Sequence, residues 1–551
     1  MRGRLKTIVC SLMGAVLMIG SASAVTVNGS FCGINDYLDE PDRAGATYVS
    51  KLNTELAVVF GSSYNYSGTL LKDSQVTASA LKSRLNASPK TIFAFSGHGY
   101  VNGPMSYDST IVPKEAIRTQ HRYVVMYSCN WMTNNGLSSE VTRIYNTFNG
   151  TRLQLGYAST MYLDSREGYM FGQNLQNQTV VNAFLRATRV YQPQQKKNDV
   201  IARVMGYTNA KNDYITTTSA APSYSSSKIP LVLLLQKQFH TQEGACSMKN
   251  FVIQNRKIFV TTCVAVMLCV VTVLHFAEPQ DEQIPKLNLP AVGNIVTANT
   301  RVSIADAAES EIDNASQSLA VYRLKPVNIN QEKKKIEDLF QVSSSDIGTF
   351  PTGNTLSDGT TVGIDAQTGR WFYQKPIDFD AKEGTLSDAD AIQIAEQFIA
   401  DNNLYPLQEL GDAKVGTTST GDATQGTEEI LRKNVYFYPE IAGKPVYGTF
   451  RICISVSGTG EIVGVDKFAN EYTLVDADVE GKNYHEVATS LSENEYTLNA
   501  EVAPSSILVD SVSDAFYADP ESEYIQPIYV LEGSEENQTE KYDIWMDARS
   551  N

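Results

Sequence analysis

The sequence predicts an α/β fold for its first half, with a mostly parallel sheet and helices on both faces, followed by a transmembrane segment and an α+β domain. Compact apolar runs at 91–95 and 123–126 end abruptly at small or polar residues, which is typical of buried parallel strands. Helical patterns alternate with these runs, and such alternation favours a parallel sheet. After residue 360 the pattern changes to a helix among hairpins, which predicts α+β structure.

Four windows of the first half have the apolar spacing of helices. In the clearest of them, 43–60, apolar residues recur mostly every three or four positions, as on one face of a helix. The other windows are 76–85, 137–148 and 180–190. Each lies between apolar runs, so strands and helices alternate along the chain.

Chemically distinctive residues follow two of the predicted strands. His98 follows the first apolar run and Cys129 follows the second, 31 positions later. Reactive groups in open α/β sheets collect at the carboxyl ends of strands, so the two side chains are predicted to lie side by side. A cysteine nucleophile needs a neighbouring imidazole to accept its proton and later to return it. We therefore predict a catalytic dyad of His98 and Cys129.

The glycines around His98 have a role in the same hypothesis. Gly97 and Gly99 allow the backbone to come close to a substrate. The N–H groups of Gly99 and Cys129 are the predicted oxyanion hole. A disulfide between Cys32 and Cys129 is an alternative that would abolish nucleophilicity.

These residues resemble a known group of enzymes. A strand followed by 96–99 (Ser-Gly-His-Gly), and a second strand that ends in a small residue and Cys129, resemble the caspase-like cysteine peptidases of clan CD. The resemblance covers roughly residues 25–235 and includes 32–37, which is similar to the first strand of metacaspases. It implies a caspase-like sheet and peptide-bond cleavage through a thioester.

The sequence departs from the family pattern beside the nucleophile. Metacaspases usually carry Asp-Ser-Cys-His-Ser-Gly there, whereas residues 127–132 are Tyr-Ser-Cys-Asn-Trp-Met. This departure leaves activity and specificity open. Asp36, Asp108 and Asp164 lie in loops that can line a substrate pocket, and the sequence does not choose among them.

Composition limits the other classes of function. The 551-residue chain has a net charge of −16, which argues against a basic nucleic-acid-binding face. Its five histidines are widely spread, so no metal site is predicted, and no cofactor is required. The length indicates at least two domains.

Two apolar segments indicate export and membrane association. Residues 1–24 have the basic start, apolar run and A-x-A end of a signal peptide, which leaves 25–247 as the caspase-like domain. Residues 258–276 carry no charge and are long enough for a transmembrane helix or a second signal anchor. The predicted location is the cell membrane, on its extracytoplasmic side.

The two segments predict conflicting topologies. Export of the first half followed by one span would leave 277–551 in the cytoplasm, but the basic residues just before the span favour a cytoplasmic upstream side. We therefore hypothesise that two adjacent exported proteins, or two reading frames, are joined in this chain. Products of about half the length would support the hypothesis, and one full-length membrane species would contradict it.

The second half contains a helix at 388–402 that Ser387 caps, followed by antiparallel strands. Together with 460–465, the region of roughly 385–470 resembles the PepSY-like propeptide domains found beside exported peptidases. The resemblance implies a module that binds or restrains a peptidase. An extracytoplasmic spacer is an equal alternative.

The sequence thus predicts an exported, membrane-associated caspase-like cysteine peptidase joined to a PepSY-like module. Its predicted partners are a peptide or protein substrate, the membrane through 258–276, and contact between the two halves or with a neighbouring protein. The alternative is a non-catalytic cell-envelope protein that uses a caspase-like scaffold for binding or sensing. The two hypotheses differ in whether Cys129 is a reactive thiolate.

Overall fold

The computed structural model describes most of the chain from residue 26 onward. The described residues are 26–38, 45–61, 64–133, 138–192, 200–219, 231–240, 284–287, 289, 291–292, 300–315, 319–379, 386–422, 427–499, 504–518, 522–535, 538 and 541–550. The predicted signal peptide at 1–24 and the predicted span at 258–276 lie outside them. In the parts just given, no helix has both the length and the apolar character needed to cross a membrane.

The first half alternates strands and helices, as the sequence predicts. Its elements are β1 (Asn28–Gly33), α1 (Gly45–Phe60), β2 (Ser67–Lys72), α2 (Ala78–Leu85), β3 (Ile92–Ser96), β4 (Gly99–Tyr100), β5 (Gly103–Pro104), β6 (Tyr123–Tyr127), α3 (Ser138–Tyr145), β7 (Leu153–Tyr157), β8 (Tyr162–Leu163), α4 (Ser165–Asn174), α5 (Val180–Tyr191), β9 (Ile201–Tyr207) and β10 (Leu231–His240).

Five neighbouring strands of the first half form a parallel sheet in the order β2-β1-β3-β6-β7. Strands β9 and β10 then continue it in antiparallel orientation. Residues of β3 and β6 are almost fully buried, which explains their unbroken apolar sequence. The predicted mixed α/β class with a mostly parallel sheet is confirmed at this level.

Helices cover both faces of this sheet. A side chain at Gly33 would meet Val49 and Ala46 of α1 at 2.5 and 2.6 Å. Arg84 of α2 instead donates to Ser30 Oγ at 3.3 Å. Because residues 30 and 33 of a strand point to opposite faces, α1 and α2 lie on opposite sides of β1.

The second half is richer in antiparallel strands. Its elements are β11 (Ala291–Val292), β12 (Arg301–Ile304), α6 (Asp306–Ala315), β13 (Leu319–Leu324), α7 (Ile329–Phe340), β14 (Gly348–Thr349), β15 (Asn354–Thr355), β16 (Thr361–Ile364), β17 (Trp371–Gln374), α8 (Asp388–Asp401), β18 (Lys414–Asp422), β19 (Glu429–Phe437), β20 (Glu440–Ile441), β21 (Lys444–Gly448), β22 (Ile452–Ser457), β23 (Ile462–Lys467), β24 (Tyr472–Val479), α9 (Tyr484–Ser492), β25 (Thr497–Asn499), β26 (Ser506–Ala518), β27 (Tyr524–Ser534) and β28 (Lys541–Asp547).

The predicted helix and hairpins of this half are present. Ser387 caps α8, because its hydroxyl accepts the Asp390 N–H at 3.1 Å. The helix buries Ala391, Ala395 and Ile399, and β18, β19, β22 and β23 follow it as an antiparallel run. Strand β10 pairs with β18, so one 15-stranded sheet extends through both halves.

Candidate active site

The register of two strands sets the positions of His98 and Cys129. Strands β3 and β6 are parallel neighbours, and their last residues, Ser96 and Tyr127, are paired. The Gly97 N–H extends this ladder by donating to the Tyr127 carbonyl at 3.2 Å. His98 and Cys129 each lie two residues beyond this pair, at the same edge of the sheet. The predicted convergence of the two strand ends is therefore observed in the backbone.

Gly99 brings the two segments into close approach. A Cβ at this position would lie 2.7 Å from Ser128 Cβ and 2.8 Å from the Cys129 carbonyl oxygen. Side chains do not tolerate contacts this short with backbone, so a glycine is required there. The turn that carries His98 thus packs directly on the segment that carries Cys129.

A third strand end positions His98. The loop after β1 carries Tyr37, whose hydroxyl accepts the backbone N–H of His98 at 2.6 Å. The Tyr37 ring also packs on the imidazole, with ring centroids 4.5 Å apart. Both residues are buried. Tyr37 belongs to the stretch that resembles a first strand, but β1 ends at Gly33 and Tyr37 lies in the loop after it. No sequence pattern predicts its contact with His98.

The backbone after β7 binds the sulfur of Cys129. The Met161 N–H donates to Cys129 Sγ at 3.1 Å, and the thiol faces the Met161 carbonyl oxygen at 3.6 Å. Sequence reasoning missed Met161, because any residue other than proline supplies a backbone N–H. Cys129 is fully buried in this arrangement, and His98 is 1% exposed.

Two other cysteines are buried in the described part of the chain. Cys32 in β1 and Cys453 in β22 are buried thiols. Burial raises the pKa of Cys32 to about 12 and that of Cys453 to about 11, so both are protonated at neutral pH. The alternative disulfide between Cys32 and Cys129 is not formed, since each is a thiol in the structure.

Two of the three predicted pocket aspartates lie in adjoining loops. Asp36 and Asp108 occupy loops that meet where the Leu38 N–H donates to the Tyr107 carbonyl at 3.2 Å. Asp108 accepts the Ser106 hydroxyl at 2.5 Å, which lowers the pKa of its carboxyl.

Asp164 follows β8 on the Cys129 side of the site. It caps α4 by accepting the Arg166 N–H at 3.0 Å, and its carboxylate pairs with the Arg166 guanidinium at 2.5 Å. Both of these bonds tie the Asp164 carboxylate to Arg166, two residues along the chain. In the described part of the chain, no group of three or more His, Cys, Asp or Glu residues is arranged to hold a metal ion.

The second half contacts the first half beside this site. Strand β8, which begins one residue after Met161, pairs with β11 in antiparallel orientation. Farther along, Asp466 of β23 accepts Arg186 Nη1 of α5 at 2.6 Å and pairs with Arg189. Burial opposes ionisation of Asp466, but Arg189 and Arg186 outweigh it and lower the pKa of Asp466. A buried ion-pair cluster therefore joins the two halves.

Comparison with known proteins gives one family match. Residues 27–234 match the model of a domain of unknown function (DUF6345), which spans less than half of the 551-residue chain. The matched region contains β1 to β9 and both members of the predicted dyad. No curated protein matches the chain.

Proposed function

We propose that this protein is an exported, membrane-associated cysteine peptidase of the caspase-like type, in which His98 and Cys129 form the catalytic dyad. The observation that carries the proposal is the pairing of Ser96 with Tyr127, which gives both residues the same offset beyond adjacent parallel strands. The buried parallel sheet, with helices on both faces, is consistent with the caspase-like fold that we propose.

The chemistry follows from these two side chains. The His98 imidazole accepts the thiol proton of Cys129, and the thiolate attacks the carbonyl carbon of a peptide bond. The C–N bond breaks, the amine leaves with the proton from His98, and a thioester remains on Cys129. Water then hydrolyses the thioester and restores the thiol. The N–H groups of Gly99 and Cys129 are the proposed donors to the oxyanion.

Because Cys129 is buried, the proposal also requires a way for the substrate to reach its sulfur. Cys129 Sγ lies against the Met161 backbone and is closed to solvent. A substrate reaches it only when the segment around Met161 moves, and active-site loops commonly make such movements. The same burial favours a second candidate function, a non-catalytic envelope protein that uses the scaffold for binding or sensing.

The second half is the proposed intramolecular partner. Residues 386–470 contain the helix and antiparallel strands on which the PepSY-like resemblance depends. The β8–β11 pair and the Asp466 cluster support a role in restraining the first half. Export and membrane attachment rest on the sequences of 1–24 and 258–276.

Peptide cleavage by the full chain tests the proposal. A peptide library is incubated with the wild type, Cys129→Ala and Cys32→Ala, and new peptide ends are identified by mass spectrometry. Cys32→Ala is the matched control, because it removes another buried cysteine of the same sheet. We expect cleavage by the wild type and the control only. Cleavage by Cys129→Ala, or by none of the proteins, contradicts the proposal and favours the binding scaffold.

A further inference from the structure

A buried carboxylate is connected by hydrogen bonds to the segment that holds the Cys129 sulfur. Glu167, in the first turn of α4, is fully buried. Its Oε2 accepts Gln192 Nε2 at 2.7 Å. Its Oε1 accepts the Tyr157 hydroxyl and the Thr188 hydroxyl, the latter at 3.2 Å. These contacts leave both carboxylate oxygens hydrogen-bonded.

Gln192 connects this carboxylate to the loop beside Cys129. Its side-chain amide bonds to both backbone groups of Tyr162: Oε1 accepts the N–H at 2.9 Å and Nε2 donates to the carbonyl at 2.9 Å. We call this pair of bonds the Gln192 clamp. Tyr162 directly follows Met161, whose N–H donates to Cys129 Sγ. The contacts therefore run without a gap from Glu167 to the sulfur.

We propose that Glu167 is a positioning residue for Cys129: its negative charge strengthens the Gln192 clamp, which holds the Met161 N–H against the sulfur. This inference rests on the proposed function, because positioning matters only if Cys129 reacts. A hydrogen bond to a charged acceptor is about twice as strong as one to a neutral acceptor. Protonation of Glu167 therefore loosens the clamp without removing any residue from it.

The surroundings of Glu167 place its titration within the physiological range. Burial raises the pKa of Glu167 to about 7, although bonds from Tyr157, Gln192 and Thr188 lower it. The titratable groups that face it are phenols on three elements: Tyr48 of α1, Tyr127 of β6 and Tyr157 of β7. Their pKa values are raised well above the usual phenol value, chiefly by burial, so they stay neutral while Glu167 titrates.

Hydrogen exchange of the full chain tests the clamp. Exchange of backbone amides in 158–164 is measured by mass spectrometry between pH 5.5 and 8.5 and corrected for the intrinsic exchange rate. We expect protection in the wild type to rise about tenfold as Glu167 ionises, from the charge-assisted bond. Glu167→Gln mimics the neutral acid and abolishes this step. Thr188→Val removes a bond to the carboxylate and moves the step to higher pH.

Glu55→Gln is the matched control. It replaces another buried carboxyl of the same half, whose pKa burial also raises, and it leaves the protection step unchanged. A step that persists in Glu167→Gln, or no step in the wild type, overturns the inference. The alkylation rate of Cys129 is measured in the same samples. An ordinary rate with a normal step would refute the proposed function alone, whereas a fast rate without a step would refute the positioning role alone.

Discussion

The loops around Cys129 and the interface around Asp466 hold buried polar groups in different ways. Around Cys129 and His98 the contacts are neutral: the Met161 N–H donates to the Cys129 sulfur, and the Tyr37 hydroxyl accepts the His98 N–H. At Asp466 they are ion pairs with Arg186 and Arg189, and all three side chains are nearly fully buried. Neutral bonds at loop ends break at lower cost than buried ion pairs. The contacts around Cys129 are therefore expected to break at lower cost than those of the interface.

The largest expected effect is that of Asp466→Asn. This change leaves Arg186 and Arg189 buried beside a neutral amide, and loss of one partner from a buried ion pair typically costs about 3–5 kcal/mol. Urea denaturation of the full chain measures this loss of unfolding free energy. Glu471→Gln is the control, because its pair with Lys325 is largely exposed, at 74% and 45%. Equal unfolding curves for the two variants would show that the interface contributes no stability.

The second prediction concerns the pH dependence of stability. Because burial raises the pKa of Glu167 from 4.5 to about 7, the folded state binds more protons than the unfolded state in that window. The contribution of Glu167 to the free energy of unfolding is therefore fully present below pH 4.5. It falls by about 3 kcal/mol as the pH rises through 7. Urea unfolding at several pH values measures the loss.

Glu167→Gln sharpens this prediction, because the amide does not titrate. We expect the variant to lack the Glu167 part of the pH slope, with Glu55→Gln as the comparison. Global stability and protection of 158–164 then change in opposite directions with pH in the wild type. A wild-type slope retained in Glu167→Gln would assign the slope to other groups.

The smallest expected effect is that of Tyr37→Phe. The change removes the hydroxyl that accepts the buried His98 N–H, and an unsatisfied buried donor costs about 1–3 kcal/mol. We expect a loss of this size in urea denaturation and slower alkylation of Cys129. Tyr214→Phe, at a residue that is 47% exposed, serves as the control. Unchanged stability and reactivity in Tyr37→Phe would show that the Tyr37 hydroxyl does not support the site.

The fold was largely predictable because its signals are local. Apolar runs fixed β3 and β6, and helical spacing located α5 and α8 to within two residues. The pairing of β10 with β18 was not predictable, since it joins segments separated by a long stretch of sequence. The predicted export and membrane segments lie outside the described residues and stay predictions.

The residues of the candidate site also differ in whether a local sequence pattern predicts them. His98 and Cys129 were identifiable because each follows a strand that a local pattern predicts. Arg186 meets Asp466 across 280 positions, and no local pattern links such residues. Met161 acts through its backbone, which carries no sequence signal. Side-chain type and strand position are therefore predictable, whereas long-range and backbone partners need the fold.

The most direct test of the dyad is the alkylation rate of Cys129 by iodoacetamide at pH 6, measured in the full chain with and without His98→Ala. The thiolate is the nucleophile, so an imidazole partner keeps Cys129 reactive below the pH at which ordinary thiols react. We predict that the wild type reacts at least about tenfold faster than His98→Ala. Equal rates in the two proteins, or a wild-type rate no higher than that of Cys32, would contradict the dyad.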